Sequence, residues 1–212
     1  MVEAVIYGPA YSTYTRTARL VFEEKGQAYK LVEVDILKGD GHNPAHLARH
    51  PYGKVPTLEI DGFAIYETDA IERYVDEALP GPKLQPSDPK QRARMSQLMG
   101  LIDNYVYGEA IGGLVVNRLI NPLLGKPVDE DRIKEAATAT EKSLQEVEHL
   151  MGAGPQLVGT ALSLADLHLA PIVAYLAMTP EGEAILKKLP KLTAWWAKIK
   201  DLPSMVKTAP KF

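Results

Sequence analysis

The chain has 212 residues, 46% hydrophobic and 24% charged, with a formal net charge of −3 at pH 7. That length supports a real core and two subdomains, and the mild negative charge gives no general reason to expect a nucleic-acid partner. There is no cysteine, which excludes a disulfide framework, Cys-ligated zinc and a protein-borne thiol nucleophile; thiol chemistry here needs a substrate that brings its own sulfur.

The opening Met-Val-Glu-Ala-Val-Ile lacks the basic region, apolar run and small-residue site of a signal peptide, and no apolar stretch is long enough to span a bilayer. A cytoplasmic protein that does not enter membranes is expected. Residues 2 to 7 read as a buried strand, ended by Gly8 and Pro9. A helix comes next, from about Thr13 to Lys25, with Tyr14, Ala18, Val21 and Phe22 at apolar positions and Gly26 as its stop. Leu31, Val32 and Val34 suit a second strand, and residues 36 to 50 read as loop, with Gly39, Gly41 and Pro44. Thr57 to Ile60 and Phe63 to Tyr66 then flank Asp61-Gly62. Both turn residues tolerate positive φ, so the segment predicts a tight hairpin. Thr68 is expected to cap a helix that begins at Asp69 and runs to about Leu79. The order β-α-β, irregular segment, β-β-α argues for a small mixed sheet with helices packed on it.

Pro80-Gly81-Pro82-Lys83-Leu84-Gln85-Pro86 cannot continue a helix and reads as a linker. Everything after it is helical in pattern. Asp88-Pro89-Lys90-Gln91 supplies a cap, a first-position proline and a Gln able to close a capping box. Met95, Leu98, Met99, Ile102, Tyr105 and Val106 recur at helical spacing, although Gly108, Gly112 and Gly113 weaken that helix. Asp129 can start a helix with the stripe Ile133, Ala137, Leu144, Val147 and Met151. Ser163-Leu164-Ala165-Asp166 has the form of a second capping box, before a helix that Pro171 is expected to kink. The last helix includes Trp195 and Trp196, read as packing. The implied domains are residues 1–79, a linker at 80–87, and an all-helical domain at 88–212.

Taken together, the two halves resemble the cytosolic glutathione transferases over essentially the whole chain. Three local matches carry the resemblance. Residues 8 to 16, Gly-Pro-Ala-Tyr-Ser-Thr-Tyr-Thr-Arg, resemble the serine-type activating segment of the phi class and related bacterial enzymes. Residues 53 to 69 resemble the family's glutathione cradle, and residues 160 to 168 its buried N-capping box. The resemblance implies a thioredoxin-like α/β N-terminal domain, an all-α C-terminal domain, glutathione as co-substrate with no metal, a homodimer, and an electrophile pocket. It implies that Ser12 donates a hydrogen bond to the sulfur of glutathione and favours its thiolate. Val55 would offer its backbone to the cysteinyl part, beside a cis Pro56. Thr68 would take the γ-glutamyl carboxylate at a helix start, and Glu67 the ammonium group. His42 and Lys54 would meet the glycine carboxylate, although the neighbours Gly41 and Asn43 depart from the basic pair usual in the phi class. Tyr11, Tyr14, Tyr105 and Tyr107 are candidates for the electrophile pocket.

Each role has a competitor. Ser12 can simply cap the first helix, and Tyr7 is its rival as thiol activator, ahead of Tyr11 and Tyr14. Glu67 and Thr68 can be no more than helix-start charge and cap. Tyr105 and Tyr107 can fill the core. His42, His46 and His50 fall four apart, but Pro44 and Pro51 interrupt the helix that would align them, so no metal site is expected. His149 and His168 lie in core-patterned helices and read as structural. The expected activity is conjugation of glutathione to small apolar electrophiles. A peroxidase, isomerase or dehalogenase on the same cradle, or a non-catalytic scaffold, remain as alternatives.

Overall fold

The computed structural model describes residues 3–210; Val2, which opens the expected first strand, lies outside them. Two compact units emerge. One holds the chain up to Gln85 together with the segment from Leu202 onward, and the other holds Pro86–Asp201.

In the first unit, β1 (Ala4–Tyr7) leads to α1 (Thr13–Glu24), β2 (Lys30–Val32), a 3₁₀ turn at Asp40–His42, α2 (Pro44–Leu47), β3 (Thr57–Ile60), β4 (Phe63–Tyr66) and α3 (Thr68–Ala78). The sheet order is β2-β1-β3-β4, with β1 parallel to β2 and antiparallel to β3, and β3 antiparallel to β4. Period-two alternation divides its faces. Ile6 pairs with Leu58 and Ala4 with Ile60, so these four buried side chains share one face. Helices α1 and α3 pack on the sheet and on each other, contributing buried Ala18, Val21, Phe22, Ile71 and Val75. The opposite face carries Tyr7 and Glu59, diagonal neighbours across β1 and β3.

The hairpin matches its expectation: Asp61 has φ 48 and Gly62 φ 79 at the turn between β3 and β4. Three other expectations need correction. The second strand stops at Val32, and Val34 is buried beyond it. Residues 36 to 50 are not plain loop. Pro44 sits in the first turn of α2, where its missing N–H has no partner to lose. Thr68 is not the cap of α3 but its first residue; Glu67 occupies the cap position at φ 72 and makes no side-chain capping bond.

The segment after Leu202 is held by hydrogen bonds from α1. Buried Arg16 donates to the Met205 carbonyl (2.8 Å) and the Thr208 hydroxyl (3.3 Å), and Arg19 to the Thr208 carbonyl (3.1 Å). These bonds explain why α10 (Pro203–Lys207) belongs to the first unit. Residues 82–85 join it through a buried ion pair. Lys25 Nζ donates to Asp76 Oδ1 (3.1 Å), the Asp76 carbonyl (3.0 Å) and the Pro82 carbonyl (3.0 Å), while Asp76 accepts from Leu84 N at 2.9 Å.

The second unit contains α4 (Pro89–Leu101), π-helical segments at Ile102–Val106 and Gly108–Ile120, α5 (Asn121–Leu123), α6 (Glu130–Leu150), α7 (Leu164–Leu176), α8 (Pro180–Lys187) and α9 (Pro190–Ile199). Asp88 caps α4 through Gln91 N at 2.9 Å, and Asp129 caps α6 through Arg132 N at 2.9 Å. Buried Ile102, Val106, Ala110 and Leu114 continue the stripe through the π-helical segments. Tyr105, expected in that stripe, falls at its edge and is 66% exposed. Gly113 explains itself by close approach: a Cβ there would lie 2.6 Å from the Ala136 Cβ of α6. Helix α7 continues through Pro171. His168 is buried and bonded to Asp103 at 2.8 Å. His149 is exposed, because it lies off the α6 stripe of Leu144 and Val147. Asp166 is fully buried and accepts from Leu157 N (2.8 Å), Ser163 N (2.8 Å), Ser163 Oγ (2.6 Å) and Trp195 Nε1 (2.8 Å). Burial pushes its carboxyl above the ordinary range, and those donors pull against the shift. Trp195 is therefore a hydrogen-bond donor to the capping box as well as core.

Candidate active site

Strand topology gathers the expected residues of the first unit. Tyr7, Thr57 and Tyr66 form one row across β1, β3 and β4. Beyond that row, β1 runs into the loop bearing Ser12, β3 is entered from Val55-Pro56, and β4 runs into Glu67-Thr68. The Ser12 loop and the Val55 loop are neighbours, since a Cβ built on Gly8 would lie 3.2 Å from the Val55 Cβ and 2.3 Å from Thr15 Oγ1. Only glycine fits there, and its φ of 156 is open to it.

Ser12 is the N-cap of α1, and its Oγ accepts from Thr15 N at 3.3 Å. The capping role and the sulfur-activating role do not compete. Capping uses an oxygen lone pair; the hydroxyl hydrogen is committed to no acceptor among the described residues. The helix N-terminus adds positive potential at the same place.

The rival hydroxyls are engaged elsewhere. Tyr7 donates to Glu59 Oε2 at 2.7 Å, while the Arg49 guanidinium lies 4.1 Å over its ring and donates to Glu59 Oε1 at 2.8 Å. Burial and the bond to Glu59 hold the Tyr7 phenol above its ordinary pKa. Tyr11 donates to Asp35 Oδ1 at 2.8 Å and accepts from Leu37 N at 3.3 Å. Burial, then the bond to Asp35, raises its phenol strongly. Tyr14 is half-buried in the first turn of α1.

The cradle offers mostly backbone. The Val55–Pro56 peptide is cis, and neither the N–H nor the carbonyl of Val55 is hydrogen-bonded among the described residues. Glu67 adopts φ 72, rare for a residue with a side chain. Its cap position leaves the first N–H groups of α3 without a side-chain acceptor, which suits an incoming carboxylate. His42 and Lys54 are both exposed. Between them Gly41 and Gly53 touch backbone to backbone: a Cβ on Gly41 would lie 2.3 Å from the Gly53 carbonyl oxygen. That contact leaves no room for a side chain at residue 41. Tyr105 and Tyr107 belong to the second unit, Tyr105 on the first π-helical segment and Tyr107 between the two.

Glu59 and Arg49 were absent from the sequence-based site, where Tyr7 stood only as a rival thiol activator and His46 only as a rejected metal ligand. Alternation along β3 could have placed Glu59 beside Tyr7. His46 is buried, and its Nε2 lies 2.7 Å from the Lys54 carbonyl oxygen.

The family model for the glutathione S-transferase N-terminal domain matches residues 6–83, and that for the C-terminal domain matches residues 110–203. Glutathione S-transferase F10 of Arabidopsis thaliana is 32% identical over 210 residues, covering 98% of this chain and 96% of that protein. Glutathione transferase F7 from Populus trichocarpa superposes with a TM-score of 0.86 at 30% identity, over 97% of each chain. The theta-class glutathione S-transferase from Xanthomonas axonopodis pv. citri, solved with glutathione bound, superposes at 0.84 with 27% identity, over 100% and 99% of the two chains. The chain belongs to the glutathione S-transferase family. Its plant relatives give it the phi-like character that residues 8 to 16 pointed to. No helix among the described residues is long and apolar enough to cross a membrane.

Proposed function

We propose that this glutathione S-transferase activates the thiol of glutathione with Ser12 and conjugates it to small apolar electrophiles. One observation carries the reading: the Ser12 hydroxyl stands at the N-terminus of α1, one loop away from Val55, and among the described residues neither its hydrogen nor the Val55 backbone has a partner. A free thiol of pKa ~8.5 is a few per cent ionised at neutral pH, and lowering it by roughly two units takes about 2.7 kcal/mol. A hydrogen bond to a charged acceptor supplies about 1.5–3 kcal/mol, and a helix N-terminus about 0.3–1 kcal/mol. The two together cover the requirement. The thiol proton passes to solvent, the sulfur forms a bond to the electrophilic carbon, and the leaving group departs with the electron pair it shared.

Val55 holds the cysteinyl backbone in the manner of an added strand. Thr68 and the start of α3 hold the γ-glutamyl carboxylate, and Glu67 the ammonium group. His42 and Lys54 meet the glycine carboxylate, with no metal required. Tyr11 and Tyr14, on either side of Ser12 in the chain, face the electrophile. The working form is a homodimer, and sedimentation at micromolar concentration should give twice the chain mass rather than 23.3 kDa.

Calorimetry with reduced glutathione should show one site per chain, unaffected by chelator, and a general aromatic electrophile should be conjugated. Absence of heat and of thermal shift at millimolar glutathione would leave only the scaffold reading. Binding without conjugation would favour the peroxidase, isomerase or dehalogenase alternatives, which use the same cradle.

A further inference from the structure

We infer that His46 is a positioning residue for glutathione: it clamps the Lys54–Val55 peptide so that the Val55 N–H faces outward to receive the cysteinyl carbonyl. The inference rests on the reading of Val55 as the cysteinyl anchor.

The geometry is specific. His46 is 3% exposed, and its Nε2 lies 2.7 Å from the Lys54 carbonyl oxygen. A carbonyl only accepts, so Nε2 carries the hydrogen and donates it. The other ring nitrogen, Nδ1, is buried without a partner, so the bond to Lys54 is the one hydrogen bond this ring makes among the described residues. The carbonyl of Lys54 and the N–H of Val55 belong to one peptide unit. That unit is trans, the cis bond being the next one. In a planar trans peptide the C=O and N–H point in opposite directions. Anchoring the oxygen on a buried ring therefore aims the hydrogen the other way, where no acceptor among the described residues meets it.

Gly53 packs on Gly41 and the Val55 side chain lies by Gly8, but no other hydrogen bond holds the 54–55 peptide among the described residues. Tyr52 and Lys54 are exposed, and the nearest backbone bond is Gly53 N to the His50 carbonyl at 2.9 Å. Without His46 the 54–55 peptide loses its one hydrogen-bonded anchor, and glutathione would have to fix its orientation on binding. The ring reaches further. It stacks on His50 (centroids 6.4 Å apart, planes at 27°), and His50 lies against Tyr66 with centroids 4.6 Å apart. Tyr66 precedes Glu67, so the two histidines connect the cysteinyl anchor to the γ-glutamyl anchor.

The test compares three proteins. His46→Phe keeps a ring of similar size and removes the donor. His46→Gln places an amide N–H where Nε2 stood, within reach of Lys54. Calorimetry with glutathione and steady-state kinetics with an aromatic electrophile are measured on each. Loss of one hydrogen bond should make His46→Phe bind glutathione more weakly and raise its KM for glutathione by about two- to tenfold. Its kcat at saturating glutathione should stay within about twofold, since Ser12 and α1 are untouched, and His46→Gln should recover most of the loss. Equal affinity in His46→Phe and wild type overturns the inference, as does a kcat loss at unchanged KM. Failure of His46→Gln to recover overturns it too. If His46→Phe does not fold, His46→Asn replaces it, because its amide is too short to reach Lys54. If the wild-type protein binds no glutathione, the functional reading itself falls; if it binds and the variants bind alike, only the role of His46 falls.

Discussion

Replacing Ser12 separates capping from chemistry. Ser12→Ala removes both the lone pair that Thr15 N uses and the hydrogen assigned to the sulfur. The capping bond is 3.3 Å long, so its loss belongs at the low end of the usual range, about 0.5–1 kcal/mol, or about 1–4 °C in Tm. The chemical loss is larger. Removing a hydrogen bond to a charged acceptor costs about 1.5–3 kcal/mol, equivalent to raising the bound thiol pKa by roughly one to two units. Near pH 6.5 the thiolate fraction and kcat should therefore fall at least about tenfold, and both should recover in part at higher pH, where the thiol ionises unaided. Ser12→Gly is the control, because glycine at a cap position costs only a few tenths of a kcal/mol yet has no hydroxyl; it should share the chemical defect without the stability defect. The assay is ultraviolet thiolate absorbance against pH, beside conjugation of an aromatic electrophile. Tyr7→Phe should leave the thiolate signal in place, since that phenol already donates to Glu59. Loss of the signal in Tyr7→Phe, with both Ser12 variants retaining it, would refute the assignment while leaving the family intact.

Asp166→Ala should cost about 3–5 kcal/mol, because it strands buried donors on Leu157, Ser163 and Trp195; a denaturant midpoint shift worth less than ~1 kcal/mol would contradict the buried network. His50 gives a pH prediction. Burial holds its imidazole below the ordinary value, with His46 and Lys54 acting in the same direction and Glu67 against it. The unfolded chain then binds that proton more readily, so stability is full above pH ~6.5 and declines as pH falls through the folded-state value. His50→Asn should flatten that decline, and an unchanged slope of stability against pH would remove His50 as its source.

Much of the first unit was legible because its signals are local. Thr57–Ile60 and Phe63–Tyr66 were bounded correctly as the segments flanking Asp61-Gly62, whose positive φ values only a few residue types accept. The start of α1 was legible from Ser12, and the capping box from Ser163 and Asp166. Short α2 was missed because a helix of that length shows no periodicity, and its proline reads as a breaker unless it falls in the first turn. Tyr105 was misplaced because it sits at the edge of the stripe formed by Leu98, Ile102 and Val106, where spacing alone does not separate buried from exposed. The pair Lys25–Asp76 and the bond from Trp195 to Asp166 join residues far apart in sequence. Without contacts, a lysine at a helix end reads as surface charge and a tryptophan as core.

The topology also suits two of the three negative groups of the proposed ligand, its thiolate and its γ-glutamyl carboxylate. Strands β1 and β4 are both antiparallel to β3, so they run in the same direction, and α1 and α3 start at the same end of the sheet. Two helix N-termini therefore face the region beyond the Tyr7–Thr57–Tyr66 row. In the proposed reading the thiolate falls to α1 and the γ-glutamyl carboxylate to α3, with Val55 entering between them at the start of β3. Each anion has its own partial positive charge, and neither has to share one with the other. Such a site depends on strand direction and loop geometry more than on side-chain identity. That dependence fits a fold kept at a TM-score of 0.86 with 30% identity. It also fits the glycine at residue 41, where the backbone contact with Gly53 leaves no room for a Cβ.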